Sequence, residues 1–153
     1  MAQALVVADD AGRRLLVISL DMIGMSYHAT SELRFELMAA TGIGFDAIVV
    51  NASHTHSGPM TGFEGYATLK AKPRQMQAYE DDVVARTVLL AQEALARLAP
   101  AEVGVWRGMS DIGINRRRRD AEGNMGMGPD PDGAYNRDLW VLDVRAGDGR
   151  YVA

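Results

Sequence analysis

The sequence contains no cysteine among its 153 residues. Disulfide frameworks, cysteine-ligated zinc, iron–sulfur clusters and thiol catalysis are therefore excluded within it. It also lacks any apolar run that approaches the roughly 20 residues needed to span a bilayer. The N-terminus shows no basic stretch followed by an apolar core, so no signal peptide is predicted.

The chain also has no excess of positive charge. The chain has 16 Lys and Arg against 20 Asp and Glu, which gives a net charge of −4. This balance argues against a general nucleic-acid binder, and we predict no nucleic-acid partner. The length corresponds to about one domain with a core of its own. Because the sequence starts almost directly in one apparent strand and stops within another, we expect a fragment of a larger protein.

Apolar runs indicate the strands. Residues 4–8 and 15–20 flank an Asp-Asp-Ala-Gly turn and predict a hairpin. The second of these runs is nearly continuous, as in a strand buried on both faces. Further strands are predicted over residues 47–50, 103–109 and 139–144.

Helical spacing and caps indicate two helices. Thr30 or Ser31 could cap the first, and Gly42 would end it. Apolar residues at helical spacing predict the second over residues 75–99, with Pro100 ending it. Glycine and proline concentrate in residues 56–75 and 120–136, which we interpret as long loops.

Strands alternate with helices in this order, which implies parallel pairing through crossover connections. The predicted fold class is therefore α/β, with a mixed, largely parallel β-sheet, crossover helices and added hairpins.

Residues 51–59 carry the clearest chemical signal and read Asn-Ala-Ser-His-Thr-His-Ser-Gly-Pro. In an extended chain, residues two apart point to the same side, so His54 and His56 would project together. Imidazole is a common zinc ligand, and catalytic zinc usually keeps three protein ligands. The pair therefore predicts part of a metal site. The only other histidine is His28, so the remaining ligands are expected beyond residue 153.

The position of this segment supports a site, because ligands collect at the carboxyl ends of strands in open α/β sheets. If the crossovers are regular, Asp21, the two histidines and the Asn115-Arg116 pair all follow strands at that edge. Asp21 could then accept a hydrogen bond from a metal-bound histidine, or it could be a turn residue. His28 is more simply a loop residue before the first helix. Ser57 lacks the surroundings of a catalytic serine.

The His-Thr-His-Ser-Gly-Pro segment at residues 54–59 resembles that of the neutral, non-lysosomal ceramidases. Ile-Asn-Arg at residues 114–116 resembles another segment of that family, as do residues 18–24 and 128–133. Two departures are evident. Residues 60–66 are longer and bulkier than in the family, and Arg117–Arg119 replace a Ser-Pro type continuation.

The resemblance implies a zinc-dependent amidase that cleaves ceramide into a sphingoid base and a fatty acid. Residues 1–153 would be part of its one catalytic domain. His54 would ligate Zn²⁺, His56 would position or polarise the amide, and Arg116 would contact the substrate or the developing oxyanion. A second histidine, a glutamate, a tyrosine and an active-site serine would come from the remainder of the full-length chain. A secreted, periplasmic or membrane-surface location is also implied, and the isolated chain should be inactive.

Two other hypotheses stay open. A related metal hydrolase could act on a different amide or lipid, or His54 and His56 could be structural in a non-catalytic interaction domain. The arginine run has two interpretations as well. Arg116 could be the one functional arginine beside three solvated ones, or the run could contact anionic lipid headgroups at a membrane surface. Phe63, Tyr66 and Leu69 could line an acyl-chain pocket or rest on the core.

Overall fold

A computed structural model describes residues 1–58 and 74–153. Within these residues the chain divides into two compact units, Met1–Leu98 and Ala99–Ala153, which we term the first and second unit. The predictions for Pro59 and for Phe63, Tyr66 and Leu69 in the first long loop lie outside the described residues.

The first unit opens with the predicted hairpin. Strands β1 (Ala2–Ala8) and β2 (Arg14–Leu20) pair antiparallel along their whole length. The turn between them begins at Asp9, whose carboxylate accepts hydrogen bonds from Ala11 and Arg13. Gly12 takes a positive φ of 78°, which glycine adopts without strain, so the Asp-Asp-Ala-Gly turn forms as predicted.

Helix α1 (Tyr27–Thr41) begins before both predicted caps, three residues ahead of Thr30 and four ahead of Ser31. The capping side chain is Ser26, whose hydroxyl accepts a hydrogen bond from the backbone N–H of Ala29. The prediction of Thr30 or Ser31 was therefore wrong, since both lie within the helix. Gly42 ends the helix as predicted, with a φ of 69° and its N–H bonded to the Met38 carbonyl.

A short 3₁₀ turn at Phe45–Ala47 leads into β3 (Ile48–Ala52), which pairs parallel with β2. This β2–α1–β3 crossover carries the only parallel pairing among the described strands. Helix α2 (Arg74–Ala96) packs against α1 and β1. Apolar side chains of the sheet and both helices form the core: Val6, Leu16, Ile18, Leu20, Met22, Leu33, Leu37, Ile43, Ile48 and Ala91.

The second unit contains two antiparallel ribbons. Strand β4 (Ala101–Met109) pairs with β7 (Asp138–Ala146). Between them, β5 (Asn115–Arg119) pairs with β6 (Met125–Asp130). The second long loop, predicted over residues 120–136, therefore contains a strand, and the arginine run forms another.

An α/β fold with mixed pairing is confirmed, but the largely parallel sheet is wrong. The first sheet has one antiparallel and one parallel pairing, and both ribbons of the second unit are antiparallel. Two of the antiparallel pairs, β1–β2 and β5–β6, are hairpins closed by short turns, whereas β4 pairs with β7 across the intervening β5–β6 ribbon. A parallel pair needs a long crossover, which α1 alone provides between paired strands in the described residues.

Candidate functional site

The carboxyl ends of β2 and β3 lie side by side. Leu20 is the register partner of Ala52, and the Ser53 N–H donates a 3.0 Å hydrogen bond to the Leu20 carbonyl. This parallel pairing brings the segment that follows β3, with both histidines, against the segment that follows β2. The two segments together form one edge of the sheet in the first unit.

His54 has a defined hydrogen-bond arrangement. Its Nδ1 lies 2.6 Å from the carbonyl oxygen of Ile23. A carbonyl only accepts, so Nδ1 must carry the proton, and Nε2 of the neutral ring keeps a free lone pair. Metal-binding histidines characteristically donate their other ring N–H to a carbonyl or carboxylate in this way. The local geometry therefore suits Nε2 of His54 to bind a metal ion.

The backbone at His54 is unusual. Its φ of 58° makes it the one described non-glycine residue with a positive φ. The prediction that an extended chain projects His54 and His56 together rests on a wrong premise, because β3 ends at Ala52 and a turn begins at His56. The rings nevertheless lie near each other, with centroids 5.1 Å apart and planes 86° apart. Both side chains are exposed.

Gly58 lets the histidine segment approach the end of β2 closely. A Cβ at this position would lie 3.0 Å from the Thr55 methyl and 3.3 Å from the Asp21 carbonyl oxygen. Thr55 is fixed in turn, since its hydroxyl accepts a hydrogen bond from the Ser57 N–H. The glycine of the His-Thr-His-Ser-Gly sequence thus has a packing role.

The other polar candidates of the first unit have different partners. The carboxylate of Asp21 lies 3.5 Å from the amino group of Met1, and the Ile23 carbonyl takes the His54 contact instead. His28 lies in the first turn of α1, 3.1 Å from Glu32, rather than in a loop. Over residues 1–58 and 74–153, no three His, Cys, Asp or Glu residues form a group that could hold a metal ion.

Arg116 lies in β5 of the second unit and is exposed. The expectation that it follows a strand of the same sheet as the histidines is wrong, because β4 pairs with β7 and not with β2 or β3. Asn115 beside it is held firmly. Its amide donates to the Ala134 carbonyl at 2.8 Å, and its side-chain oxygen accepts the Arg117 N–H at 2.8 Å. These bonds fix the backbone on both sides of Arg116.

Comparison with solved structures gives a match over 98% of this chain, with a TM-score of 0.67 and 25% sequence identity. The matched structure is a ceramidase complexed with C2. This chain resembles a ceramidase. The resemblance predicted from the sequence is thereby confirmed. The chain spans only 24% of the ceramidase chain that it matches. No protein-family model and no curated protein sequence matches it.

The four segments on which the ceramidase resemblance rests form two pairs, and the two segments of each pair are in contact. Residues 18–24 lie against residues 51–58 through the β2–β3 pairing and the His54 hydrogen bond. In the second unit, Asn115 pairs in register with Asp130, and a Cβ on Gly133 would lie 2.7 Å from the Asn115 side chain. Segments far apart in sequence are thus direct neighbours within each unit.

The contact of His54 with the Ile23 carbonyl was not predicted from the sequence. Every residue has a carbonyl group, so its side chain gives no signal for this role. The position of the segment just after a buried strand was the available clue, and it pointed to the Asp21 carboxylate instead.

Proposed function

We propose that this chain carries part of the active site of a zinc-dependent amidohydrolase of the ceramidase type. The observation that carries the proposal is the His54 arrangement, in which Nδ1 is bonded to the Ile23 carbonyl, so that the Nε2 lone pair would be the one to bind metal. The structural similarity to a ceramidase supports the reaction class. The proposed substrate is a lipid amide such as ceramide.

In this proposal His54 would hold zinc, which supplies a Lewis acid that favours attack of water on a polarised carbonyl. The water oxygen bonds to the acyl carbon, the C–N bond breaks, and the nitrogen takes a proton. The products are a fatty acid and a sphingoid base. The carbonyl oxygen gains negative charge during attack, and an N–H of His56 would stabilise that charge. The contact of Arg116 with the substrate or the developing oxyanion stays a prediction from the sequence.

The proposed site needs ligands from more of the protein, because His54 is one ligand and catalytic zinc usually has three. We expect the remainder of the full-length chain to supply them. The 153-residue chain should therefore hydrolyse no amide by itself. Turnover by the purified chain that His54→Ala abolishes would overturn this assignment.

A structural role for the histidines is the competing hypothesis. The 2.6 Å bond from His54 to Ile23 also ties the two strand-end segments together, as a structural histidine would. The exposure of His54 and its positive φ favour the metal site, because neither is required for such a tie.

Zinc content separates these hypotheses. Zinc per chain is measured by elemental analysis on this chain and on the longest obtainable form of the protein, each with His54→Ala. His28→Ala is the matched control, because His28 is an exposed histidine in the same unit. We expect zinc in the long form, loss on His54→Ala, and retention on His28→Ala. A folded long form without zinc would make the histidines structural.

The substrate requires a separate assay. The long form is tested on ceramide and on short N-acyl amides. Cleavage of ceramide, reduced on the order of a hundredfold by Arg116→Ala, would support both the substrate and the oxyanion role. Cleavage of short amides with ceramide untouched would favour a related hydrolase with another substrate.

A further inference from the structure

Residues 53–58, which we term the histidine segment, are attached to the end of β2 at two points. At the start of the segment, the Ser53 N–H donates a 3.0 Å hydrogen bond to the Leu20 carbonyl. At its far end, a Cβ on Gly58 would lie 3.3 Å from the Asp21 carbonyl oxygen, so the glycine backbone lies directly against the residues after β2. His54 stands between these two points of attachment.

The surface that Gly58 contacts is firmly held. Met22 is 2% exposed and packs in the core of the first unit, and its N–H donates a 3.0 Å hydrogen bond to the Leu20 carbonyl. A Cβ on Gly58 would lie 3.6 Å from the Met22 Cα. Because close-packed cores resist displacement, a side chain added at position 58 would move the histidine segment rather than the residues after β2.

Thr55 fills the space beside Gly58. Its hydroxyl accepts a 3.2 Å hydrogen bond from the Ser57 N–H and closes a short turn next to His54. Its methyl carbon would lie 3.0 Å from a Cβ at position 58, which is closer than carbon atoms pack without strain. The Thr55 methyl group therefore occupies room that exists only because residue 58 has no side chain.

Gly58 is not required for its backbone conformation. The described glycines with a positive φ are Gly12, Gly42, Gly123 and Gly149, and Gly58 is not among them. A residue with a side chain could adopt its backbone angles without penalty. The reason for glycine at this position is thus the close approach of the two segments, which is the second use of the residue.

His54 depends on that close approach. Its φ of 58° is a conformation that a residue with a side chain keeps only where the surrounding structure imposes it. Its Nδ1 lies 2.6 Å from the Ile23 carbonyl oxygen, and this hydrogen bond requires the two segments to stay in contact. The contacts of Gly58 and of His54 fall on neighbouring residues, 21–23, so one supports the other.

We propose that Thr55 and Gly58 are positioning residues for His54. Together they hold the histidine segment against the end of β2, which keeps the Nδ1 proton on the Ile23 carbonyl and leaves the Nε2 lone pair for a metal ion. The metal in this inference rests on the proposed function. The orientation of the ring does not, because it is set within the chain in the absence of metal.

Imidazole NMR on the metal-free 153-residue chain tests the orientation. At about pH 8.5 an ordinary histidine is neutral, and the ring nitrogen and carbon shifts report which nitrogen holds the proton. His54→Ala assigns the signals. We expect the Nδ1–H tautomer of His54 in the native chain and a mixture of both tautomers in Gly58→Ala, because the added Cβ lifts the ring away from the Ile23 carbonyl.

Zinc binding by the longest obtainable form of the protein gives a second readout. Substitutions that disturb the partner of a metal-binding histidine typically lower metal affinity 10- to 100-fold. We expect Gly58→Ala to weaken zinc binding by about tenfold or more. Gly44→Ala is the matched control in the first unit, since a Cβ there would meet nothing within 4 Å and its φ is −60°.

A second substitution should reverse the first. Thr55→Ser removes the methyl group that a Cβ at position 58 would meet at 3.0 Å, and it keeps the hydroxyl that accepts the Ser57 N–H. In the double variant Gly58→Ala with Thr55→Ser, we expect the Nδ1–H tautomer and most of the zinc affinity to return. A general loss of stability would not be reversed in this way.

Two results would overturn the positioning role. One is a folded Gly58→Ala chain in which His54 keeps its Nδ1–H tautomer, and the other is an equal change of tautomer in Gly44→Ala. Both are read without metal, so they leave the zinc assignment untouched. Conversely, a folded long form that holds no zinc would contradict the proposed function and leave the tautomer result standing.

Discussion

The two units of this chain are built in contrasting ways. In the described part of the first unit, residues 1–58 and 74–98, a three-stranded sheet and two helices bury ten apolar residues in one core. In the second unit, all of which the structure describes, Val144 is the one buried apolar residue. Its ribbons leave large apolar side chains exposed, among them Val105, Trp106, Met109, Met127 and Trp140.

The difference shows what helices contribute here. A sheet covered by helices removes one face from water, and each buried apolar side chain then contributes about 1.5–3 kcal/mol. A two-stranded ribbon buries little by itself and depends on backbone pairing, turns and side-chain bonds. The first unit is thus stabilised by its core, and the second by local geometry.

The largest expected effect is a loss of stability in the first unit, which we compare with the loss caused by the same leucine-to-alanine substitution in the second unit. Leu37→Ala empties a fully buried position and should lower the free energy of unfolding by about 3 kcal/mol. Leu139→Ala, at a position 49% exposed, should cost under about 1 kcal/mol. Urea unfolding measures both. Circular dichroism reports α1 and α2 in the first unit, and fluorescence reports Trp106 and Trp140 in the second. Equal losses would contradict the contrast.

A smaller effect tests the local geometry of the second unit. Gly133→Ala would place a Cβ 2.7 Å from both the Asn115 side chain and an Asp130 carboxylate oxygen. We expect a loss of about 2 kcal/mol and movement of the backbone beside Arg116. Gly126→Ala is the control, because its Cβ would meet nothing closer than 3.9 Å. Unchanged amide chemical shifts around Asn115 in Gly133→Ala would refute the packing role of this glycine.

The smallest effect concerns the first hairpin turn. The Arg13 backbone N–H and then its guanidinium donate to Asp9 and hold the pKa of that carboxyl below its ordinary value of 3.8. Because the folded pKa is the lower one, this contribution to stability is present above pH 3.8 and is lost as the pH falls through the folded pKa.

A carboxyl titration followed by NMR checks this prediction. Asp9 should titrate below 3.8 in the native chain, and its pKa should rise in Arg13→Gln, which removes the guanidinium bond but keeps the backbone N–H. The corresponding turn of the second unit has Asn124 where the first has Arg13, so it offers no such cation. An Asp9 pKa that is the same in both chains would exclude a contribution from the guanidinium.

Local patterns predicted the elements better than their arrangement. The first hairpin and the end of α1 were predicted correctly because Gly12 and Gly42 both supply the positive φ that their turns require. The start of α1 was missed because three hydroxyl residues, Ser26, Thr30 and Ser31, can all cap a helix. Strand β5 was missed because consecutive arginines carry no apolar alternation.

The arrangement of the strands depends on contacts that a linear pattern does not contain. The order of strands and helices predicted one largely parallel sheet, but β4 pairs antiparallel with β7, near the end of the chain. Arg116 therefore does not follow a strand of the sheet that positions the histidines. The histidine segment itself was predictable from its position after β3, whereas the Ile23 carbonyl depends on the path of the backbone after β2.

The left-handed backbone at His54 has a consequence for how this position tolerates change. Glycine adopts such a φ without strain, whereas a residue with a side chain loses on the order of 1 kcal/mol there. For folding alone, histidine is therefore a poor choice at position 54. The residue best suited to the backbone and the residue best suited to a metal ion are different here. Selection for thermal stability alone would tend to replace the side chain that is proposed to hold the metal ion.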